Sequence, residues 1–64
     1  MDEKMASQWL DELARGERKD FLVKKEDFLI FRKVLTSRPD FKHFRGIALR
    51  GGDVRYEYLK EPRS

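Results

Sequence analysis

The side chains that could perform catalysis are few and scattered along the chain. His43 is the only histidine, and there is no cysteine. Each hydroxyl nucleophile other than the tyrosines suits a simple local role, such as a helix end or the end of the chain: Ser7, Thr36, Ser37 and Ser64. A nucleophile needs an adjacent general base and a group that orients that base. The sequence therefore predicts no catalytic residues, and a protein that is not an enzyme.

Residue types also argue against a metal or cofactor site. Four-coordinate zinc normally needs a cluster of cysteine and histidine ligands. The Gly51-Gly52 pair lies in a hairpin pattern rather than before a helix, where a phosphate-binding loop would be found. The acidic pair Glu26-Asp27 is typical of a helix start. We expect no metal, no cofactor and no small-molecule substrate.

Composition predicts a small soluble domain. The chain has 64 residues, of which 42% are charged, against roughly 25% in ordinary globular chains. The first residues lack the apolar run of a signal peptide or a membrane span. We expect a cytoplasmic protein whose stability comes from a compact apolar core, extended in one hypothesis by a second copy of the chain.

Hydrophobic periodicity predicts two helices and three strands in one α+β domain over residues 1–64. Two segments have apolar residues at helical spacing, and one short apolar run flanked by charge is typical of a strand. Gly51-Gly52-Asp53 between two alternating segments predicts a hairpin. The expected architecture is a three-stranded antiparallel sheet with both helices packed on one face. The predicted elements are helices at about residues 3–15 and 26–38 and strands at about residues 20–24, 43–50 and 54–60.

A two-residue turn at Gly51-Gly52 would place Ile47 opposite Tyr56 and so define the two faces of the hairpin. The predicted core face carries Ile47, Leu49, Val54, Tyr56 and Tyr58. The predicted outer face carries Phe44, Gly46, Ala48, Arg50, Asp53, Arg55, Glu57 and Leu59.

Charge is unevenly distributed, which suggests one class of partner. The net charge is −3 over residues 1–14 and +6 over residues 15–64. A basic helix followed by a basic hairpin could contact the phosphates of DNA or RNA, although a solvated surface is the simpler interpretation. The candidate nucleic-acid-binding residues are Arg32, Lys33, Arg45, Arg50 and Arg55.

Three features indicate a protein partner instead. Leu29 falls on the polar side of its helix, small residues form a patch on the predicted outer face, and the edges of a three-stranded sheet are unpaired unless something covers them. The candidate protein-interface residues are Leu29, Phe44, Gly46, Ala48 and Leu59. The interpretation we favour is a small regulatory or adaptor protein that binds another protein or itself, with nucleic-acid binding as the alternative.

Overall fold

The computed structural model describes residues 1–62 and contains two α-helices and three β-strands. This is the α+β fold that the sequence predicts, with both helices against one face of an antiparallel sheet. Among the described residues, no helix is long and apolar enough to cross a membrane. In chain order the elements are α1 (Glu3–Ala14), β1 (Asp20–Val23), a 3₁₀ turn (Lys25–Asp27), α2 (Phe28–Thr36), a second 3₁₀ turn (Phe41–His43), β2 (Phe44–Ala48) and β3 (Val54–Tyr58).

Helix α1 begins at an acidic cap and ends near a glycine. The Asp2 carboxylate accepts the Met5 N–H at 2.7 Å, which satisfies one of the unpaired donors of the first turn. Gly16 follows the helix with φ 79°, a conformation that favours glycine. The buried stripe that α1 turns toward the sheet consists of Ala6, Leu10 and Leu13.

Helix α2 is shorter than the sequence predicts because both of its ends tighten. Residues 25–27 form a 3₁₀ turn rather than the first α-helical turn. At the other end, the N–H groups of Ser37 and Arg38 donate to the carbonyls of Val34 and Leu35, three residues earlier. Pro39 then disfavours further helix.

The sheet has the order β1-β3-β2, with both neighbouring pairs antiparallel. The central strand is thus the last of the three along the chain. Its Tyr56 ring lies at the middle of the core, with its centroid 4.7 Å from that of Phe31 on α2 and 6.2 Å from that of Phe21 on β1. These three aromatic residues join the helices to the sheet.

The hairpin loop has three residues, and the predicted two-residue turn is wrong. The Leu49 N–H donates to the Asp53 carbonyl at 2.8 Å, so the loop consists of Arg50, Gly51 and Gly52. Both glycines adopt positive φ, at 90° and 94°. Such values cost L-residues with a side chain far more than they cost glycine.

The longer loop shifts the pairing by one residue, and a shift of one residue exchanges the faces of a strand. Tyr56 lies opposite Gly46 instead of Ile47. Ile47 and Leu49 therefore leave the core face, and Phe44 becomes part of it with 1% of its surface exposed. Burial of a phenylalanine, together with a glycine that makes room for Tyr56, explains this register better than burial of the two aliphatic residues.

Candidate functional site

The outer edge of β2 has unpaired backbone groups. In an antiparallel ladder, alternate residues turn their N–H and C=O toward the partner strand. Hydrogen bonds at both ends of β2 fix this alternation. Leu49 bonds to Asp53 at one end, and at the other end the His43 carbonyl accepts the Leu59 N–H at 2.6 Å. By this alternation, the odd-numbered residues of β2 bond to β3, and the even-numbered residues turn their backbone groups away from it.

Gly46 and Ala48 are therefore the residues that present an N–H and a C=O at this edge. The N–H of Phe44 is already used, because it donates to the carbonyl of Phe41. Within residues 1–62, no strand pairs with this side of β2. Gly46 and Ala48 are also exposed, so water reaches these groups.

A cleft of about 340 Å³ lies beside this edge, between α2 and the inner face of the sheet. One wall comes from α2, which contributes Phe28, Arg32, Leu35 and Thr36. Three of these residues recur at a spacing of four, as expected for one helix face. The sheet contributes Phe44, Gly46 and Tyr56, and Phe41 completes the lining. The cleft thus combines aromatic and aliphatic walls with one charged side chain.

Gly46 is necessary for the shape of this cleft. A Cβ atom at this position would lie 3.0 Å from Cε1 of Tyr56 and 3.2 Å from Cγ1 of Val54. Because glycine has no Cβ, the Tyr56 ring can lie across β2 at the bottom of the cleft. The sequence contains this signal, but the predicted two-residue turn conceals it by placing Ile47 opposite Tyr56.

Of residues 1–62, Arg32 is the one that brings a charged side chain to the cleft lining. It is exposed, and no carboxylate of residues 1–62 lies within ion-pair distance of it. The neighbouring Lys33 differs, because its Nζ lies 3.3 Å from a carboxylate oxygen of Glu3. Arg32 is thus available to an anionic group that enters the cleft.

The five predicted nucleic-acid-binding residues do not form one surface. Arg32 and Lys33 lie on α2, which covers the inner face of the sheet. Arg45 and Arg55 lie on the opposite face, as their odd-numbered register positions require, and Arg50 lies in the hairpin loop. Arg45 is partly neutralised by Glu57, with 3.7 Å between Nη1 and Oε1.

Arg38 forms ion pairs within the fold, with Asp11 and Asp40. Its Nη1 donates to Asp11 at 2.7 Å, and its Nε donates to Asp40 at 2.9 Å. Its guanidinium carbon lies 5.6 Å from the ring centroid of Phe44. The hydrogen bonds from Arg38 hold the pKa of the Asp40 carboxyl below its ordinary value, and Asp40 in turn raises the pKa of Arg38.

The predicted protein-interface residues are only partly brought together. Gly46 and Ala48 are exposed, but both lie on the inner face of the sheet, where Gly46 lines the cleft, instead of forming an outer patch. The prediction that Phe44 lies on an outer surface is wrong, since this residue is buried. Leu59 is half-buried beside His43, while Leu29 is 77% exposed on α2.

His43 has a structural environment. Its Nδ1 lies 2.9 Å from the Leu59 carbonyl, and since a carbonyl only accepts, Nδ1 carries the proton. The imidazole stacks on Tyr58 with 5.1 Å between ring centroids. Within residues 1–62, no group of three potential metal ligands is close enough to hold an ion.

Comparison with known sequences assigns a family. Residues 3–57, from the start of α1 almost to the end of β3, match the family described as YkzS-like protein. The chain belongs to the YkzS-like family. The matched region includes both walls of the cleft and the whole β2 edge, so this surface lies within the family domain. No curated protein and no solved structure matches the chain.

Proposed function

We propose that this YkzS-like chain is a small non-enzymatic adaptor or regulatory protein of the cytoplasm that binds another protein at the outer edge of β2. The supporting observation is the combination of unpaired backbone groups at Gly46 and Ala48 with an adjacent cleft that is partly lined by apolar side chains. An exposed sheet edge can pair with a strand from a partner, and a neighbouring pocket adds side-chain specificity.

The opposite edge of the sheet differs in a way that favours β2. Strand β1 has four residues, and the charged Asp20 and Lys24 flank its exposed outer edge. Short strands and charged residues are common means of protecting a sheet edge from unwanted pairing. The β2 edge instead carries a glycine and an alanine at its outward positions, which allow another backbone to approach.

Nucleic-acid binding remains the second candidate, with Arg45 and Arg55 as its supporting residues. Both side chains are exposed on the sheet face opposite α1 and α2. They are separated from Arg32 and Lys33 by the thickness of the sheet, which weakens the original hypothesis of a continuous basic helix and hairpin surface. The second candidate is therefore a smaller nucleic-acid contact through Arg45, Arg50 and Arg55.

Photocrosslinking at two matched edge positions tests the protein-binding proposal. A benzophenone amino acid replaces either Ala48 at the β2 edge or Leu22 at the β1 edge, and the protein is irradiated in cells. We expect a discrete protein adduct from position 48 and none from position 22. The adduct partner, once purified, should bind the Leu22→Pro variant normally and the Ala48→Pro variant weakly.

The proline pair is matched because both substitutions remove an outward N–H. Leu22 lies between Phe21 and Val23, whose partners on β3 bond toward β1, so its own N–H points to solvent. Proline is tolerated at such edge positions. Titration with labelled duplex and single-stranded DNA and RNA at low and high salt completes the test. Salt-sensitive binding that is lost in an Arg45→Glu, Arg55→Glu variant, without a protein adduct, would replace this proposal with nucleic-acid binding.

A further inference from the structure

We infer that the β2 edge and its cleft receive an extended partner segment with a large apolar side chain and a nearby acidic residue. This inference rests on the proposed function and specifies the chemistry of the partner. It combines three features of the same surface: the outward backbone groups, the apolar walls and the Arg32 charge.

The backbone geometry determines where the partner side chains go. A strand added to β2 would lie about 4.8 Å from it, and its side chains would alternate between the two faces of the sheet. Those that point to the inner face would lie beside Gly46 and Ala48, at the mouth of the cleft. The α2 wall would then contact every second residue of the added strand.

The size and lining of the cleft indicate one large apolar side chain. Its volume of about 340 Å³ is at the low end of the roughly 300–1,000 Å³ range of small-molecule pockets. Phe28 and Leu35 on one side and Phe41 at the end provide apolar contacts. A leucine or aromatic side chain would bury apolar surface against these three residues.

Arg32 indicates the acidic residue. Its guanidinium can donate two parallel hydrogen bonds to one carboxylate, the most specific geometry available to a cation. It lies between Phe28 and Thr36 on the α2 face that lines the cleft, so the carboxylate would enter from the rim. The net charge of +3 also favours approach of an acidic segment.

Neither edge strand of a second copy offers such a segment. Its β2 sequence, Phe44–Ala48, contains Arg45 and no acidic residue, and its large apolar side chain Phe44 is buried in its own core. The β1 edge has Asp20, but the phenylalanine beside it is buried as well. The partner is therefore a different protein, with a segment that is extended and accessible.

Designed peptides of about seven residues, roughly the length of β2 with flanks, test this inference. The reference peptide alternates threonine and valine, with a central phenylalanine and a glutamate two positions later. We expect its addition to shift the backbone amide signals of Gly46 and Ala48 in ¹⁵N-labelled protein and to slow their exchange with deuterium. Replacing the phenylalanine by alanine, or the glutamate by lysine, should weaken binding about tenfold or more.

Charge reversal gives the sharpest control. Arg32→Glu should reverse the preference, so that the lysine peptide binds more tightly than the glutamate peptide, whereas Lys33→Glu should leave the order unchanged. A peptide N-methylated at the pairing positions should not bind, because it lacks the donors that a strand needs.

The outcomes separate this inference from the proposed function. Peptide binding at β2 that is unchanged by the phenylalanine and glutamate replacements would overturn the inference, but the proposal of protein binding at the edge would stand. A position-48 adduct combined with no peptide binding would have the same meaning. Loss of both the adduct and peptide binding would overturn both proposals. A dimer in sedimentation that dissociates in Ala48→Pro would identify a second copy as the occupant and overturn the inference.

Discussion

The Arg38 guanidinium donates to the carboxylate of Asp11 at 2.7 Å and so connects the segment after α2 to the last turn of α1. It also donates twice to Asp40, and only 18% of its side chain is exposed. Three charge-assisted hydrogen bonds from one partly buried guanidinium form a stronger connection than a typical surface ion pair.

Replacing Arg38 should destabilise the fold more than replacing another paired arginine. We expect Arg38→Leu to lower the free energy of unfolding by about 1–3 kcal/mol, because two acceptors lose their donor. Arg15→Leu is the control, since Arg15 and Glu17 form an exposed pair and such pairs contribute about 0–1 kcal/mol. Urea unfolding measures both. Equal losses would mean that the Arg38 connection has no special value.

Asp40 should contribute stability that depends on pH. Arg38 holds the pKa of this carboxyl below its ordinary value of 3.8. The ionised carboxylate is therefore more stable in the folded protein than in the unfolded chain. The contribution is present at neutral pH and is lost as pH falls below 3.8 toward the lower folded-state value.

The expected result is a shallower loss of stability in acid for Asp40→Asn than for the wild type, measured as the free energy of unfolding between pH 6 and about pH 2. Arg38→Leu should remove the same pH dependence, and the double variant should add nothing to it. An Asp40→Asn profile parallel to that of the wild type would contradict this prediction.

Gly46 should not tolerate a branched side chain. Gly46→Val would place atoms against the Tyr56 ring and Val54 and should cost about 1–3 kcal/mol, as overpacking usually does. Ala48→Val is the matched control on the same strand and face. Because Ala48 is exposed and valine favours strands, we expect that variant to unfold within roughly 0.5 kcal/mol of the wild type. Thermal unfolding would distinguish the two, and similar midpoints would mean that Tyr56 can move aside.

The two loop glycines should differ in what their replacement costs. Both have positive φ, so alanine at either position should lose about 1–2 kcal/mol from backbone strain alone. A Cβ at Gly51 would meet nothing within 4 Å, whereas one at Gly52 would lie 3.2 Å from Cδ of Lys25. Gly52→Ala should therefore cost more than Gly51→Ala in chemical denaturation. The excess should shrink when Lys25 is also changed to alanine, because that change removes Cδ and Cγ but keeps the Lys25 Cβ at 3.3 Å. An excess that does not change at all would argue against the Lys25 side chain as its cause.

Periodicity was sufficient to predict the helices and strands, but pairing in the hairpin depended on one loop residue. A Gly-Gly pair fits a two-residue turn, yet here Arg50 joins it to make three. Ile47 and Leu49 look more suitable for a core than Gly46 and Ala48 when they are compared as single residues. The comparison changes when Phe44, which shares the face of Gly46 and Ala48, is included and when the Tyr56 ring fills the space over Gly46. Recognising that space requires a three-dimensional structure.

The candidate site could be predicted only in part for a related reason. Counting charges treats Arg38 as one more basic residue. In the fold, Arg38 bonds both to Asp40, which is close to it in the chain, and to Asp11, which is far from it in the chain. The sequence predicts Gly46 and Ala48 to form a small-residue patch, but places it on the wrong face. Their importance at the β2 edge depends on strand order, because a β2 placed in the middle of the sheet would have no unpaired groups.

The strand order also constrains how the domain can form during synthesis. β1 and β2 do not pair with each other, and both depend on β3, which leaves the ribosome after them. A nascent chain with both helices and two strands outside the exit tunnel would still have no sheet, and the aromatic residues of α2 and β1 would lack Tyr56. Chain elongation at about 5–20 residues per second thus sets the earliest time at which the sheet can form. A ribosome that stalls before β3 would leave β1 and β2 unpaired and accessible to chaperones and proteases.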